Sequence, residues 1–502
     1  MKNFNLYKFA ITSAFMALSG CGKDFLTVEP NDQINTGNFY SNQLEAVAAT
    51  NAVYVPLLQF YNESGWAFGD IMSDDTEVGG GGGGDGAELL ELDNFTMTSQ
   101  NPVVRIAWGA CYKAIQRANL VIEKVPSISA SEIDEKVKNR CIGEAHFLRA
   151  LFYFNLVRLY GDVPLYTKSI VLDDAKTIKR SPAANVYAQI IEDLLKAETL
   201  LPNRYTGDDV GRASAGSAKG LLAKVYLTTG QKTEAAAKAK EVIDNKGLYG
   251  YGLNTNYGDN YSLATENSQE CLFAVQYRSG GGQWGNPNSQ GNRLNTFFAP
   301  RLKNIVASAG YGFNIPTLEM FNQFEAGDAR RVPSMWIPGD NFKEGTLDYT
   351  QEASLTGSPN GFNVRKFFVP ITNVTGDSDG WRSSLNYNIL RYSEILLIYA
   401  EASGSGVGLA SLNLVRQRAG VADIATGLSD QQFLDAVYKE RRVELAFEGH
   451  RWFDLLRHPN DPEYFVKVMQ KAGKNASSFN RFMPIPQSEI DANPSLTQNS
   501  GY

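Results

Sequence analysis

The chain is poor in the residues that hold metals and drive acid–base chemistry. Of 502 residues only 3 are histidine (His146, His450 and His458) and only 4 are cysteine (Cys21, Cys111, Cys141 and Cys271). No histidine has a second one four residues on, so there is no HExxH helix, and no CxxC or Cys/His spacing suggests zinc. A GxSxG elbow is missing, as is any cysteine in the setting of a thiol-protease nucleophile. There is no basic run and the net charge is −7, which argues against nucleic acid as a partner. No apolar stretch approaches the roughly 20 residues that span a bilayer. These gaps leave no implied metal and no implied cofactor.

What is present is ordinary globular material: 43% hydrophobic and 20% charged residues, with ample substance for a core. The first 20 residues are the exception. Lys2 and Lys8 form a basic start and Phe9–Leu18 a short apolar run, the pattern of a signal peptide. Leu18-Ser19-Gly20-Cys21 then has the form of a bacterial lipobox, which predicts cleavage before Cys21, lipidation of Cys21 and an anchored protein.

Helical periodicity dominates the rest. Residues 41–61 look helical, and so do 103–125, where Trp108, Tyr112, Ile115, Asn119 and Ile122 share one face and Trp108 reads as core. In 143–165, Leu148, Phe152, Leu156 and Leu159 form a stripe, Gly161 ends the helix and Pro164 prevents its resumption. His146 beside that stripe reads as a core or surface histidine. Cys111 and Cys141 fall in helices as small buried hydrophobes, and a disulfide between them is left open. Residues 181–245 read as a helix, a loop and a helical hairpin broken at Gly230, with small residues at Ala223, Ala236 and Ala239; the hairpin resembles a tetratricopeptide unit. Helix pairs recur at 103–160 and 388–450 at irregular intervals, which predicts a solenoid-like scaffold.

The densest pattern lies between Leu428 and Arg457. Ser429 and Gln432 have capping-box spacing, so a helix starts there. Leu434, Tyr438, Leu445 and Trp452 form one expected stripe, and Arg441 and Glu448 fall on it. Charges on a buried face need partners. Arg391–Ala402 offers them, because it is apolar nearly all round and carries Glu394 and Glu401 two turns apart. The reading is a core of packed helices crossed by structural Arg–Glu pairs.

Two regions break the helical pattern. Residues 62–100 contain six consecutive glycines, Gly79–Gly84, without the GK[ST] ending of a phosphate loop; a flexible surface loop is the plain reading. Asp74, Asp75 and Glu77 precede it, able to meet a hydroxyl-rich ligand or a cation, to cap a helix or to stay solvated. The second region, about 246–386, is rich in Gly, Asn, Tyr and Trp. A structureless loop of that length is improbable, so its aromatics should order it. Gly327–Arg331 reads as a structural turn, and Asp377-Ser378-Asp379-Gly380 is a poor match to a calcium loop, since Trp381 and Asn388 stand at ligand positions. Aromatic faces stack on sugars, and amides and carboxylates meet their hydroxyls. The expected ligand residues are therefore Trp284 and Trp336, then Trp66 and Tyr311, with Asp74 and Asn286 as polar partners. Three classes stay open: a glycan-binding protein, which the insertion favours, a helical adaptor, and a glycoside hydrolase whose carboxylate pair no motif selects.

Four C-terminal blocks, RYSEILLIYAEA, LNLVRQRAG, YKERRVELAFEGHRWFDLLR and FMPIPQSEIDANPSLTQNSGY, resemble in order and spacing the C-terminal half of the SusD/RagB family. GEAHFLRALFYFNLVRLYGDVPL, the Trp108–Asn119 pattern and the GD-x-RR turn at 327–331 fit the same family. The resemblance implies a mainly α fold: a tetratricopeptide-like scaffold, about 40–245 and 387–457, carrying a loop-rich insertion, about 246–386, all in one domain from 21 to 502 after a signal peptide of 1–20. It also implies a non-enzymatic lipoprotein on the outer-membrane surface that captures glycan, or in RagB-like members peptide, for a SusC-like TonB-dependent transporter, with no cofactor.

Overall fold

The computed structural model describes residues 39–81, 84–278, 290–306, 309–373 and 383–502. Cys21, Trp284, Asn286, Gly82, Gly83 and the segment Asp377–Trp381 lie outside the described residues.

The fold is mainly α, as the periodicity implies. Helix α1 (Gln43–Glu63) is capped by Asn42, whose side chain accepts from the Glu45 amide. Helix α2 (Ala87–Asp93) follows the glycine run. Helices α3 (Pro102–Lys124) and α4 (Glu135–Tyr160) are capped by Asn101 and Asp134. Gly161, at φ 71°, takes the left-handed turn that ends α4. Helices α5 (Ala183–Leu200), α6 (Ala215–Thr228) and α7 (Lys232–Asp244) complete the first block, with Gly230 at φ 77° turning α6 into α7. Successive helices pack on one another: α1 on α3, α3 on α4, α4 on α5 and α6 on α7. Trp108 is buried there. His146 is buried too and bonds Asp193 at 2.7 Å, a structural contact. Cys111 and Cys141 are separate buried thiols.

After the insertion, helices α8 (Tyr392–Ser403), α9 (Ser405–Ala419) and α10 (Asp430–Glu444) close the core, α8 against α7 and α9. The Ser429–Gln432 capping box is present. One expectation fails here. The predicted helix through Arg457 stops at Glu444 and resumes as α11 (Arg451–Leu456). Phe447 and Gly449 adopt φ of 61° and 73° in between, a conformation that ends an α-helix. The buried face of α10 is Phe433, Val437, Glu440, Arg441 and Glu444, one residue away from the predicted Leu434–Tyr438 stripe, so both of those are only half-buried.

Strands are short. Every named strand among the described residues belongs to a two-stranded antiparallel pair. Thr76–Val78 (β1) pairs with Asn314–Pro316 (β2), tying the glycine region to the insertion. A π-helical turn, Ala67–Ile71, crosses the 445–450 break so closely that a Cβ on Gly69 would lie 2.2 Å from the Gly449 Cα. Its Asp70 accepts from the Gly449 amide at 2.9 Å and from Asn314 Nδ2 at 3.1 Å. The final segment returns to the first block. The Met483 amide donates to the Leu159 carbonyl at 2.7 Å and Asn499 Nδ2 to the Tyr160 carbonyl at 3.0 Å, which satisfies orphan acceptors at the end of α4. No helix among the described residues is long and apolar enough to cross a membrane.

Candidate functional site

The charges of the C-terminal helices form a buried lattice that holds the insertion in place. Arg391 bonds Glu448 twice at 2.8 Å, Glu444 at 2.8 Å and Glu270 at 2.6 Å. Glu270, from the insertion, also takes Arg418 at 2.8 Å. Lys366 reaches Glu448 at 2.6 Å, and Arg330 pairs with Asp328, Glu440 and Glu444. Arg441 binds Asp454 through two 3.0 Å contacts and approaches the expected partner Glu394 at 3.5 Å; Glu401 takes Arg457. Burial alone would raise the Glu448 carboxyl, but Arg391 and then Lys366 outweigh it and bring it down to about 2. This is architecture: each carboxylate named here is consumed by a cation of the chain.

Asp74 belongs to the same kind of structure. It was expected beside a ligand or in solvent, yet it is buried against Arg451, at 2.7 and 2.9 Å, and Arg442, at 2.8 Å. Burial opposes its charge, and Arg451 and Arg442 overcome that and set it at about 2. Asp75 is buried with it on Arg442.

The tryptophans divide likewise. Trp336, predicted to face ligand, is 0% exposed. Phe342, Tyr349 and Phe368 pack edge-on around it, and the Arg365 guanidinium lies 3.8 Å above its ring. Trp66 is 2% exposed; it donates Nε1–H to the Asn62 carbonyl at 3.0 Å and meets Phe298 edge-on. Neither ring has a face left for a ligand, because the insertion is ordered by its own aromatics and these two serve that end.

Trp66 nonetheless supports a surface. It touches Phe297, which touches Phe313, and Phe313 stacks on Tyr311 with centroids 5.2 Å apart and planes 9° from parallel. Tyr311 is half-buried. The glycine run lies beside it. The ladder of β1 and β2 continues as Gly79 and Gly80 donate to the carbonyls of Phe313 and Gly312. A Cβ on Gly79 would sit 1.8 Å from the Gly312 oxygen, so this part of the run is packed rather than loose, a correction to the flexible-loop reading. Asp85, at the end of the run, accepts from Arg301 Nη1 at 2.5 Å, and the same nitrogen donates to the Tyr311 carbonyl at 3.2 Å. Tyr311, Arg301 and Asp85 thus meet at a partly open surface: one aromatic face beside a donor and an acceptor.

The described residues that flank the segment carrying Trp284 and Asn286 are held together. The Arg278 amide donates to the Gln290 carbonyl, Asn62 Nδ2 to the Gly291 carbonyl, and Arg293 pairs with Glu63. Thr296, three residues further, accepts from the Tyr311 amide at 2.9 Å. The sequence reading singled out Tyr311 and did not single out Arg301 or Asp85. The only local signal was an aspartate closing a glycine run; the contact itself depends on a strand pairing across more than two hundred residues. Elsewhere in the insertion a cavity of about 670 Å³ is edged by Tyr261, Phe342, Arg365 and Phe368. No grouping of metal-ligand side chains occurs among the described residues.

Comparison with known proteins fits this architecture. Residues 269–502 match the family model described as "SusD family", and residues 24–227 match one described as "Starch-binding associating with outer membrane". A solved structure described as a "Laminarin binding SusD-like protein" is 31% identical, covers 92% of this chain and 100% of its own, and superimposes with a TM-score of 0.81. The chain belongs to the SusD family. Among other members of that family, the "SusD-like protein P2" of Formosa agariphila is 28% identical over 525 residues, 99% of each chain. Surface glycan-binding protein A from Bacteroides thetaiotaomicron, in complex with laminarihexaose, is 25% identical over 91% of this chain and 99% of its own, with a TM-score of 0.77.

Proposed function

We propose that this SusD-family protein binds oligo- or polysaccharide at the cell surface and hands it to a SusC-like TonB-dependent transporter in the outer membrane. The observation that carries the reading is the convergence of Tyr311, Arg301 and Asp85 on one partly open surface. A stacked, rigid ring desolvates a sugar face at small entropic cost, while the guanidinium and carboxylate take hydroxyls. Trp284 and Asn286 are proposed as further ligand contacts on their chemistry alone, an aromatic face and an amide of the kind sugars need. The relatives named above that bind laminarin or laminarihexaose support glycan as the ligand class. The family description supports the outer-membrane setting, with Cys21 as the lipid anchor. The ligand is carried, not cleaved.

The test is a paired glycan and peptide array, followed by titration calorimetry with laminarihexaose and with maltooligosaccharides, and chromatography of the recovered sugar. Binding to a glycan whose chain length is unchanged supports the reading. Binding to peptides alone would replace glycan by peptide cargo. Shortened sugar chains would make the protein a hydrolase.

A further inference from the structure

The helical block contains a second cavity, of about 720 Å³, that shares no residue with the Tyr311 surface. It lies where the end of α4, the end of α6, α8 and the segment 441–458 meet. Six cationic side chains line it: Arg158, Lys224, Lys232, Arg441, Arg457 and Arg481. Only three carboxylates do, Glu394, Glu401 and Asp454. All three are taken by the chain itself. Asp454 holds Arg441 and Arg457, Glu401 holds Arg457, and Glu394 holds Lys224 at 3.0 Å.

Positive charge is left over. Arg158 and Arg481 have no carboxylate within ion-pair distance among the described residues. Arg158 is fixed all the same. Its guanidinium sits between the rings of Phe154 and Phe453, 4.0 and 4.1 Å from their centroids, and donates to Asn155 Oδ1 at 2.7 Å. Arg441 is 3% exposed, and its Nη1 has no hydrogen-bond partner among the described residues. The cavity histidines add no further positive charge: burial, with Lys224, drives His450 well below its ordinary value, and burial lowers His458.

Uncompensated cations in a walled cavity are costly unless something occupies it. The rigid placement of Arg158 between two rings removes the entropy that a mobile cation would lose on gripping a ligand. Oxygen anions match guanidinium forks in geometry as well as charge. We propose that this cavity binds a small multivalent oxyanion, a molecule carrying carboxylate or phosphate groups, held by Arg158 and Arg481. The site is separate from glycan capture and does not depend on it.

The probes are citrate and inorganic phosphate, titrated calorimetrically into the purified protein, with laminarihexaose as the neutral comparison. One equivalent of citrate or phosphate should bind, more weakly as sodium chloride is raised. Arg481→Gln and Arg158→Gln should each weaken that binding by at least about tenfold. Arg481 is half-buried and has no ion pair among the described residues, so its variant should melt with the parent and remains informative if the Arg158 variant does not fold. A parent that binds neither anion at millimolar concentration overturns the proposal. So does an Arg481→Gln variant that binds like the parent, or an anion that laminarihexaose displaces, since it would then occupy the glycan surface.

Discussion

Arg391 and Glu448 face each other through two parallel hydrogen bonds, Nε to Oε2 and Nη2 to Oε1, each 2.8 Å long, with both side chains buried. Removing one partner of such a pair leaves an uncompensated charge and costs about 3–5 kcal/mol. Arg391→Ala strips Glu270, Glu444 and Glu448 together, so it should reach at least that range in chemical denaturation. The exposed pair Lys343–Asp348 is the contrast: Lys343→Ala should change stability by less than about 1 kcal/mol. Equal losses in the two variants would mean that the lattice does not anchor the insertion.

The shifts of Asp70, Glu448 and Asp74 together place a stability maximum at about pH 4. Asp70 is raised by burial from 3.8 to about 7, so it holds its proton more tightly folded than unfolded. Its contribution is complete below its ordinary value and is lost as pH rises through about 7. Glu448 and Asp74 are shifted the other way, to about 2; their contributions are present above their ordinary values of 4.5 and 3.8 and disappear as pH falls toward 2. Asp70→Asn should flatten the alkaline limb, gaining on the order of a few kcal/mol at pH 8 and little at pH 4. The orphaned Asn314 Oδ1 gives the new amide a partner once it turns. Denaturation curves across the pH range check this, and an unchanged alkaline limb refutes it.

The aromatic residues should separate by assay. Trp336→Ala removes a fully buried ring from under Arg365 and should cost about 3–5 kcal/mol of stability. Tyr311→Ala should leave the melting temperature nearly unchanged and weaken glycan binding by about 2 kcal/mol, roughly thirtyfold. Calorimetry and a melt on each variant decide it. A Tyr311 variant that binds as tightly as the parent would move the site elsewhere.

Backbone crossings should tolerate no side chain. Gly69→Ala places a Cβ 2.2 Å from the Gly449 Cα and should destabilise by about 1–3 kcal/mol or more. Gly84→Ala, with nothing within 4 Å, should be nearly neutral in the same melts.

Helices were legible in the sequence because their signals are local. Ser429 with Gln432, Gly161 after a stripe and Gly230 between two arms each mark an end within a few residues. The break at 445–450 was not, since Leu445 and Trp452 keep helical spacing across it and the left-handed backbone of Phe447 and Gly449 shows only in the structure. Arg441 was placed in the core correctly; its main partner, Asp454, lies beyond that break, where a straight helix would not have put it. Tyr311 was singled out in the sequence, and its neighbours Arg301 and Asp85 were not. Tyr311 lies beside glycine in a loop, but whether an aromatic is platform or filling depends on neighbours remote in sequence. Trp336 and Trp66 look like Tyr311 on the page and differ only in what covers them.

The return of residues 483–499 to the end of α4 bears on how the molecule folds. Tyr160 receives Asn499 across 339 positions, and Arg180 reaches Asn499 across 319. Closing a loop of that length costs about 5 kcal/mol of chain entropy before any contact repays it. The helices made first therefore wait, their last carbonyls uncovered, until the most distant part of the chain has emerged. Once that clasp forms, neither half can loosen alone, and the scaffold melts as one cooperative unit.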